Sequence, residues 1–325
     1  MSRGLVWAPA FLLLCLGALL YGARGAADLR DLTALFGGPL PGDADAIVLV
    51  QLRLPRLLAA LVAGGALGAA GAIIQTLSRN PLADPGLLGV NSGAAFAIVL
   101  TFWAFGPQPP AALALPGLLG ASLAAGFVWI LAMRVSHPMT LILGGVALTA
   151  VLGAGVRALI LADSVALDGF RQWAVGSVAV VEAPTLALAS AIGAAGLCLA
   201  LLSARSLDAL SLGDDMARAL GASLIGTRAA ALAATALLST AAVLVAGPLM
   251  FIGLVAPHIA RMTGAQSSLG LLGASCAWGA SLVIAADLIG RSLFPGVVIQ
   301  AGLGVALVGG PLLIWLVCRD VRDGV

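Results

Sequence analysis

The chain contains no lysine; all 16 of its basic residues are arginine. A phosphate-cradling P-loop needs a lysine to reach the nucleotide phosphates. The chain is therefore not its own ATPase of that type, and any ATP energy must come from a partner. Charge of either sign is scarce. Only 9% of the 325 residues are charged against 61% hydrophobic, with a mean hydropathy of +1.12, whereas a soluble domain carries about 25% charged residues. So few charges cannot cover a water-facing surface, and lipid must be the solvent for most of the chain. The net charge of +2 is accompanied by no basic tract and no aromatic platform, so nothing points to nucleic acid. Cys15, Cys198, Cys276 and Cys318 each stand alone in an apolar run. Without a CxxC or Cys/His spacing they suggest neither metal nor disulfide, and packing accounts for them. No metal or cofactor is expected in this chain.

Small residues are abundant, with 42 glycines, and these let helices approach closely where no hydrophobic effect drives them together. A span needs about 20 apolar residues. Ten segments qualify, at roughly 5–22, 47–74, 88–106, 112–133, 139–161, 184–203, 228–246, 249–263, 268–290 and 296–318. The eighth is short and contains Pro257. The first has signal-peptide character, with Arg3 before it and small residues over Ala23–Ala27, yet cleavage would change the topology and not the class. The expected fold is an all-α polytopic membrane protein of about ten transmembrane helices, a single domain over residues 1–325.

Arginine placement sets an orientation. With a cytoplasmic N-terminus the inner loops hold Arg3, Arg79, Arg134, Arg205, Arg218, Arg228, Arg261, Arg319 and Arg322. The outer side holds Arg24, Arg30, Arg53, Arg56, Arg157, Arg171 and Arg291. Nine against seven favours both termini inside, and the largest polar inner segment, 204–227, suits a docking surface. Residues 53–90 and 225–256 each run from an arginine through an Ala/Gly-rich helix to a Gly-Pro-interrupted turn. One copy starts outside and the other inside, which predicts an inverted repeat, a common transporter architecture.

The second span opens on Gln51-Leu-Arg-Leu-Pro-Arg-Leu-Leu and carries Gly64, Gly68 and Gly71. It ends in a run through Gln75, Asn80-Pro81, Asp84-Pro85 and Gly86-Leu-Leu-Gly89 to Ser92-Gly93. Two prolines and several glycines at membrane depth mean a broken helix, which survives only where protein or water satisfies its backbone. Further along come Trp173-Ala-Val-Gly-Ser177, Leu210-Ser-Leu-Gly-Asp-Asp-Met-Ala-Arg-Ala-Leu-Gly221, Ala246-Gly-Pro-Leu-Met-Phe-Ile-Gly-Leu-Val-Ala-Pro-His-Ile-Ala-Arg261 and Ala286-Asp-Leu-Ile-Gly-Arg291. From about residue 50 onward these motifs resemble, in order, the FecCD family, the permeases of ABC importers for iron–siderophores, haem and vitamin B12. The resemblance implies ten helices per subunit and a second permease copy or homologue around a central pathway. It also implies two cytoplasmic ATPases that hold the ATP and magnesium, and an external substrate-binding protein. It places the chain in a bacterial inner membrane. A ferric siderophore is the default cargo, with haem and cobalamin as the other classes.

Within 204–227, Ser211 with Asp214 three residues on reads as a capping box, and Gly221 as a C-terminal stop. Between them lies a helix too short to span, with Met216 and Leu220 on one face and Asp215 and Arg218 on a polar side. By resemblance this is the coupling helix seated in the ATPase, with Gly213, Asp214, Asp215, Met216, Ala217, Arg218, Leu220 and Gly221 as contacts; taken alone it is also a plain polar loop. Arg53, Arg56 and Arg291 fall where the family docks its binding protein through carboxylates, a use suited to charge-assisted pairs. Against this stand snorkelling of Arg53 and Arg56 and pairing of Arg291 with Asp287 four residues earlier. The resemblance places the cytoplasmic gate at Asn80, Pro81 and Leu82 with the loop around His137, where His137-Pro138 departs from the family pattern. Trp173 is expected at the outer mouth, as pathway lining or as an interface anchor. His258 reads as a helix-end hydrogen-bonding residue.

Two other functions are weighed. An ion-coupled secondary transporter needs ionisable groups buried at mid-membrane, and Asp287 is the one acid placed within a span. An intramembrane hydrolase would need Ser92 and His258 as a pair, and nothing in the sequence brings them together.

Overall fold

A computed structural model describes residues 4–22, 25–26, 32, 35, 44–134, 138–292 and 299–323. Among the described residues twelve helices follow one another, and strand is limited to a two-residue antiparallel bridge, Tyr21–Gly22 with Gly25–Ala26. We number them α1 (Gly4–Leu20), α2 (44–78), α3 (Val90–Phe105), α4 (Pro110–Arg134), α5 (Pro138–Ala162), α6 (Ser164–Ala174), α7 (Ala183–Ser211), α8 (Asp214–Ala219), α9 (Leu224–Ala246), α10 (Ile252–Met262), α11 (Ser268–Ser292) and α12 (Ala301–Asp323). Six of them, α2, α4, α5, α7, α9 and α11, are long and apolar enough to cross a membrane, and α1, α3 and α12 carry shorter apolar stretches. The eighth expected span is corrected. Its helix, α10, has 11 residues, roughly 16 Å at 1.5 Å per residue, about half of a hydrocarbon core.

α2 is the axle of the bundle. Its most apolar stretch is 83% buried, against 11% for that of α5. Near its start the backbone makes a π turn over Leu49–Arg53, closed by the Leu54 N–H on the Leu49 carbonyl. Pro55 follows directly and has no N–H to return to Gln51, so the ladder widens where the proline would otherwise leave a gap. Farther along, Gly64 and Gly68 lie against Gly279 and Ser275 of α11, and Gly71 lies against Gly253 of α10. A methyl group at any of the three would overlap an opposing backbone carbonyl. The glycines, spaced four and then three residues apart, thus mark the face on which α11 and α10 approach α2 backbone to backbone.

The core is built chiefly of alanine and glycine, with Ala59, Ala63, Ala69, Ala70, Ala234 and Ala242 fully enclosed. Other leucines and aromatics face outward, as on α4, where Leu115, Leu119, Leu123 and Phe127 form an exposed stripe. Such a surface needs hydrocarbon or another chain around it.

The inverted repeat has a structural counterpart. α2 is followed by an irregular stretch and a short helix, α3; α9 is followed by a shorter irregular stretch and the short helix α10. Each short helix starts from a residue in the left-handed region, Gly89 at φ 75° and Phe251 at φ 66°. α2 and α9 run in opposite directions, because α2 begins beside Arg291 of α11 and ends beside α8, whereas α9 begins at α8. The bundle therefore has two distinct ends. By helix direction α1 starts, and α12 finishes, toward the end that carries α8.

Candidate functional site

At the α8 end, α7 stops at Ser211 and a tight turn leads into α8 through Gly213 at φ 111°. α8 ends in a Schellman motif. The Gly221 N–H donates to the Arg218 carbonyl and the Ala222 N–H to the Ala217 carbonyl, both at 2.9 Å, with Gly221 at φ 79°. The glycine stop read from the sequence is therefore present, and a Cβ there would meet strain whatever the space.

The capping box is not. Ser211 donates its hydroxyl to the Asp208 carbonyl at 2.6 Å, and the Asp214 carboxylate turns away to two guanidinium groups. Arg79 Nη2, from the end of α2, lies 2.7 Å from Oδ1, and Arg228 Nη2, from the first turns of α9, lies 2.7 Å from Oδ2. Partial burial alone would raise the Asp214 carboxyl, but the hydrogen bonds and charges of Arg228 and Arg79 outweigh it and hold the group below the ordinary carboxylate range.

Of the eight residues expected to face a partner, the structure sorts two groups. Met216 and Leu220 project outward, 52% and 62% exposed, and the exposed Leu212 lines the same groove as Leu220. Asp215 and Arg218 are also exposed and pair with each other at 2.8 Å. Ala217 is corrected: it is fully buried and seats α8 on the bundle rather than touching anything outside. Gly213 and Gly221 shape the turns, and Asp214 is engaged inward. Beside α8 an open groove of about 720 Å³ runs between Arg205, Asp208, Leu212, Leu220 and the 266–267 turn. Asp208 also fixes that turn, accepting the Ser268 N–H at 2.7 Å where α11 begins.

The expected gate residues Asn80, Pro81 and Leu82 lie at this same end, exposed, directly after Arg79. The Asn80 side chain accepts the Leu82 N–H at 2.9 Å and Asp84 accepts the Gly86 N–H at 2.7 Å. These two Asx turns supply hydrogen bonds that the broken helix lacks. His137 lies outside the described residues.

Sequence reading missed Gln75. It is 2% exposed, and its amide N–H groups are shared among the carbonyls of Ala83, Gly253 and Leu254, each at 3.3 Å. Its Oε1 accepts from Arg261 Nη1 at 2.7 Å. One side chain thus joins the irregular stretch after α2 to the start and end of α10. A lone amide inside an otherwise apolar run was the available signal, since a buried amide must find partners.

At the opposite end, the three arginines expected to dock a binding protein point inward. Arg53 is 7% exposed and donates Nη1 to the carbonyls of Leu19 (3.0 Å) and Leu20 (2.5 Å). Arg291 is 6% exposed and donates Nη2 to the Ala18 carbonyl at 2.8 Å. Both cap the final carbonyls of α1, which have no partner within that helix. Arg56 grips Asp287 with Nε and Nη2, at 2.9 and 2.6 Å. Asp287 also faces Arg291 Nε at 3.5 Å, four residues along α11. Here the three arginines act as an internal clasp of α1, α2 and α11, and neither snorkelling nor a free docking surface describes them.

Trp173 closes the amphipathic helix α6 and lines a cavity of about 780 Å³ at this end with Phe102, Gln108, Ser177 and Gln300. The strap after it is pinned on both sides. Ser177 N–H donates to the Ala246 carbonyl at 2.8 Å, and the Gly176 carbonyl accepts the Gly302 N–H at 3.0 Å. Gly176 is at φ 72°, which explains the glycine of that motif.

Among the described residues no group of three or more His, Cys, Asp or Glu side chains could hold a metal. A model of the FecCD transport family matches residues 10–319. The chain is 42% identical over 335 residues to the ferric enterobactin transport system permease protein FepD of Escherichia coli (strain K12), covering 97% of this chain and 96% of that protein. It is 36% identical to the hemin transport system permease protein HmuU of Yersinia pestis, covering 95% of each. Among solved structures, an inward-facing metal-chelate type ABC transporter superposes with a TM-score of 0.84 at 27% identity, over 95% of this chain and 98% of that one.

Proposed function

Because this chain belongs to the FecCD transport family, matched over residues 10–319, we propose that it is the membrane permease of an ATP-driven importer that moves an iron chelate, a ferric siderophore first. Family membership sets the class, and the relatives named for ferric enterobactin and hemin support the cargo. The observation that carries the mechanism is α8. A six-residue helix, stopped at both ends by glycines in the left-handed half of φ space, presents Met216 and Leu220 outward beside an open groove. An apolar knob of this kind suits a soluble partner that grips it and pushes it as a rigid body.

In this reading the α8 end faces the cytoplasm of a bacterial inner membrane, with both termini on that side. Two cytoplasmic ATPase subunits bind ATP and magnesium, and this chain needs no cofactor of its own. A second permease copy or homologue completes the pathway, and a substrate-binding protein delivers cargo to the end that holds Trp173. Asn80, Pro81 and Leu82 then lie at the cytoplasmic exit. The chain contributes no catalysis; it binds, passes and releases.

The buried acid an ion-coupled carrier would use is Asp287, and it is held between Arg56 and Arg291, which leaves it no vacant site for a coupling ion. Proteoliposomes holding the permease, its ATPase and its binding protein test the proposal with a radiolabelled ferric siderophore. Uptake should follow internal ATP and continue when the membrane potential is collapsed. Uptake that follows the potential without an ATPase would overturn it.

A further inference from the structure

The knob and the exit segment lie far apart in sequence, yet one ion pair joins them. Arg79 caps α2 and immediately precedes Asn80. It is one of two non-glycine residues with positive φ among the described residues, at 51°. Its guanidinium is held at two points on the α7–α8 turn, the Leu210 carbonyl at 3.0 Å and Asp214 Oδ1 at 2.7 Å. Asp214 is itself anchored to α9 through Arg228. We propose that Asp214 and Arg79 form a latch through which displacement of α8 is delivered to the segment 80–84. Asp214 and Arg79 are thereby positioning residues for transport. This rests on the reading of α8 as the ATPase-facing helix.

Three features fit a latch that opens rather than a fixed strut. The pair is partly open to solvent, with the Arg79 and Asp214 side chains 42% and 33% exposed, so water can take over the separated charges at low cost. The left-handed Arg79 closes α2 in a Schellman cap, with its own N–H on the Thr76 carbonyl at 3.3 Å and the Asn80 N–H on the Gln75 carbonyl at 3.2 Å, so the residue that carries the guanidinium also fixes the direction in which the chain leaves the helix. A shift of the guanidinium therefore bears on the peptide leading into Asn80, whose Asx turn with Leu82 carries the change along the segment. Arg228, by contrast, is only 15% exposed in its pair with Asp214 and keeps that carboxylate tied to α9 when Arg79 lets go.

The test reads the exit segment directly in the assembled complex of permease, ATPase and binding protein. A Leu82→Cys substitution, at an exposed position that leaves the Asn80 turn intact, is labelled with a membrane-impermeant maleimide, with and without ATP and vanadate. Labelling at that one position is quantified by peptide mass spectrometry, so the native cysteines do not interfere. Recovery of the ATPase with the permease is measured for every variant. The nucleotide-dependent change in labelling rate should shrink about tenfold in Arg79→Gly, the scale set by loss of a charge-assisted hydrogen bond. Glycine keeps the left-handed backbone and removes only the guanidinium, so it separates the side chain from the turn. Asp214→Asn, nearly isosteric, should give the same loss and serves where the glycine variant is recovered poorly. The double variant should be no worse than either single one, because both remove one link. A parent-like response in Arg79→Gly, or losses that multiply in the double variant, would overturn the latch. If the parent complex assembles but its Leu82→Cys labelling ignores nucleotide, the latch fails and the importer reading stands. If no ATPase is recovered with the parent chain, the importer reading itself fails.

Discussion

At the end remote from α8, Asp287 sits 5% exposed between Arg56 and Arg291; at the α8 end, Asp214 sits 33% exposed between Arg79 and Arg228. Each is an aspartate between two arginines, and each joins helices that are distant in sequence. Burial separates them. The Asp287 clasp is closed off from water and braces α1, α2 and α11, so removing one charge leaves the others stranded at high cost. The Asp214 cluster can exchange its partners for water. The first arrangement suits a part that must hold still, the second a part that must move.

The largest effect should therefore come from the clasp. Asp287→Ala leaves the buried Arg291 and the part-buried Arg56 without their shared carboxylate and should destabilise the fold by about 3 kcal/mol, seen as a large drop in the thermal unfolding midpoint of the purified permease. Asp214→Ala should cost about 1 kcal/mol or less, as half-exposed pairs do, while uptake per ATP hydrolysed falls. If the two alanine variants lose similar stability, the contrast between the ends is wrong. Next in size is Met216→Asp, which puts charge on the apolar knob. It should uncouple ATP hydrolysis from uptake with little change in unfolding midpoint, and normal uptake in that variant would remove the knob from the mechanism.

Acidification sharpens the comparison further. The Asp214 carboxyl is held below the ordinary range. Its stabilising contribution is then fully present above the unfolded value of about 3.9 and is lost only as pH falls through the lower folded value. Coupling should therefore be insensitive to this group across neutral pH, and a loss centred near pH 6 would assign control elsewhere. Smallest of all is Arg218→Ala. Its pair with Asp215 is exposed and only three residues long in reach, so the unfolding midpoint should not move measurably.

Much of the bundle was legible in the residue order, because lipid exposure writes itself as long apolar runs. Nine of the ten expected spans coincide with helices, α1–α5, α7, α9, α11 and α12, of which six are long and apolar enough to cross a membrane. α10 misled because an apolar stretch of suitable composition says nothing about where the helix starts. Its start is set by Phe251 in the left-handed region, packed against Gly309 of α12, a tertiary fact. The glycine stop of α8 at Gly221 was readable for the opposite reason, since positive φ is a local demand. Pairings across the chain were not readable. Asp214 could be matched to Ser211 by local spacing, but its true partners lie 135 and 14 residues away. The arginines of the clasp were recognisable as special, yet only packing tells whether a guanidinium faces a partner protein or the end of α1.

The proposed mechanism requires a cytoplasmic ATPase to meet the outward face of α8. Introducing Met216→Cys or Leu220→Cys and cross-linking in right-side-out membrane vesicles decides it most directly. A covalent adduct with the ATPase subunit, and protection of the thiol from an impermeant reagent added outside, is the predicted result. Rapid modification of the same thiol from the external medium, with no ATPase adduct, would contradict it.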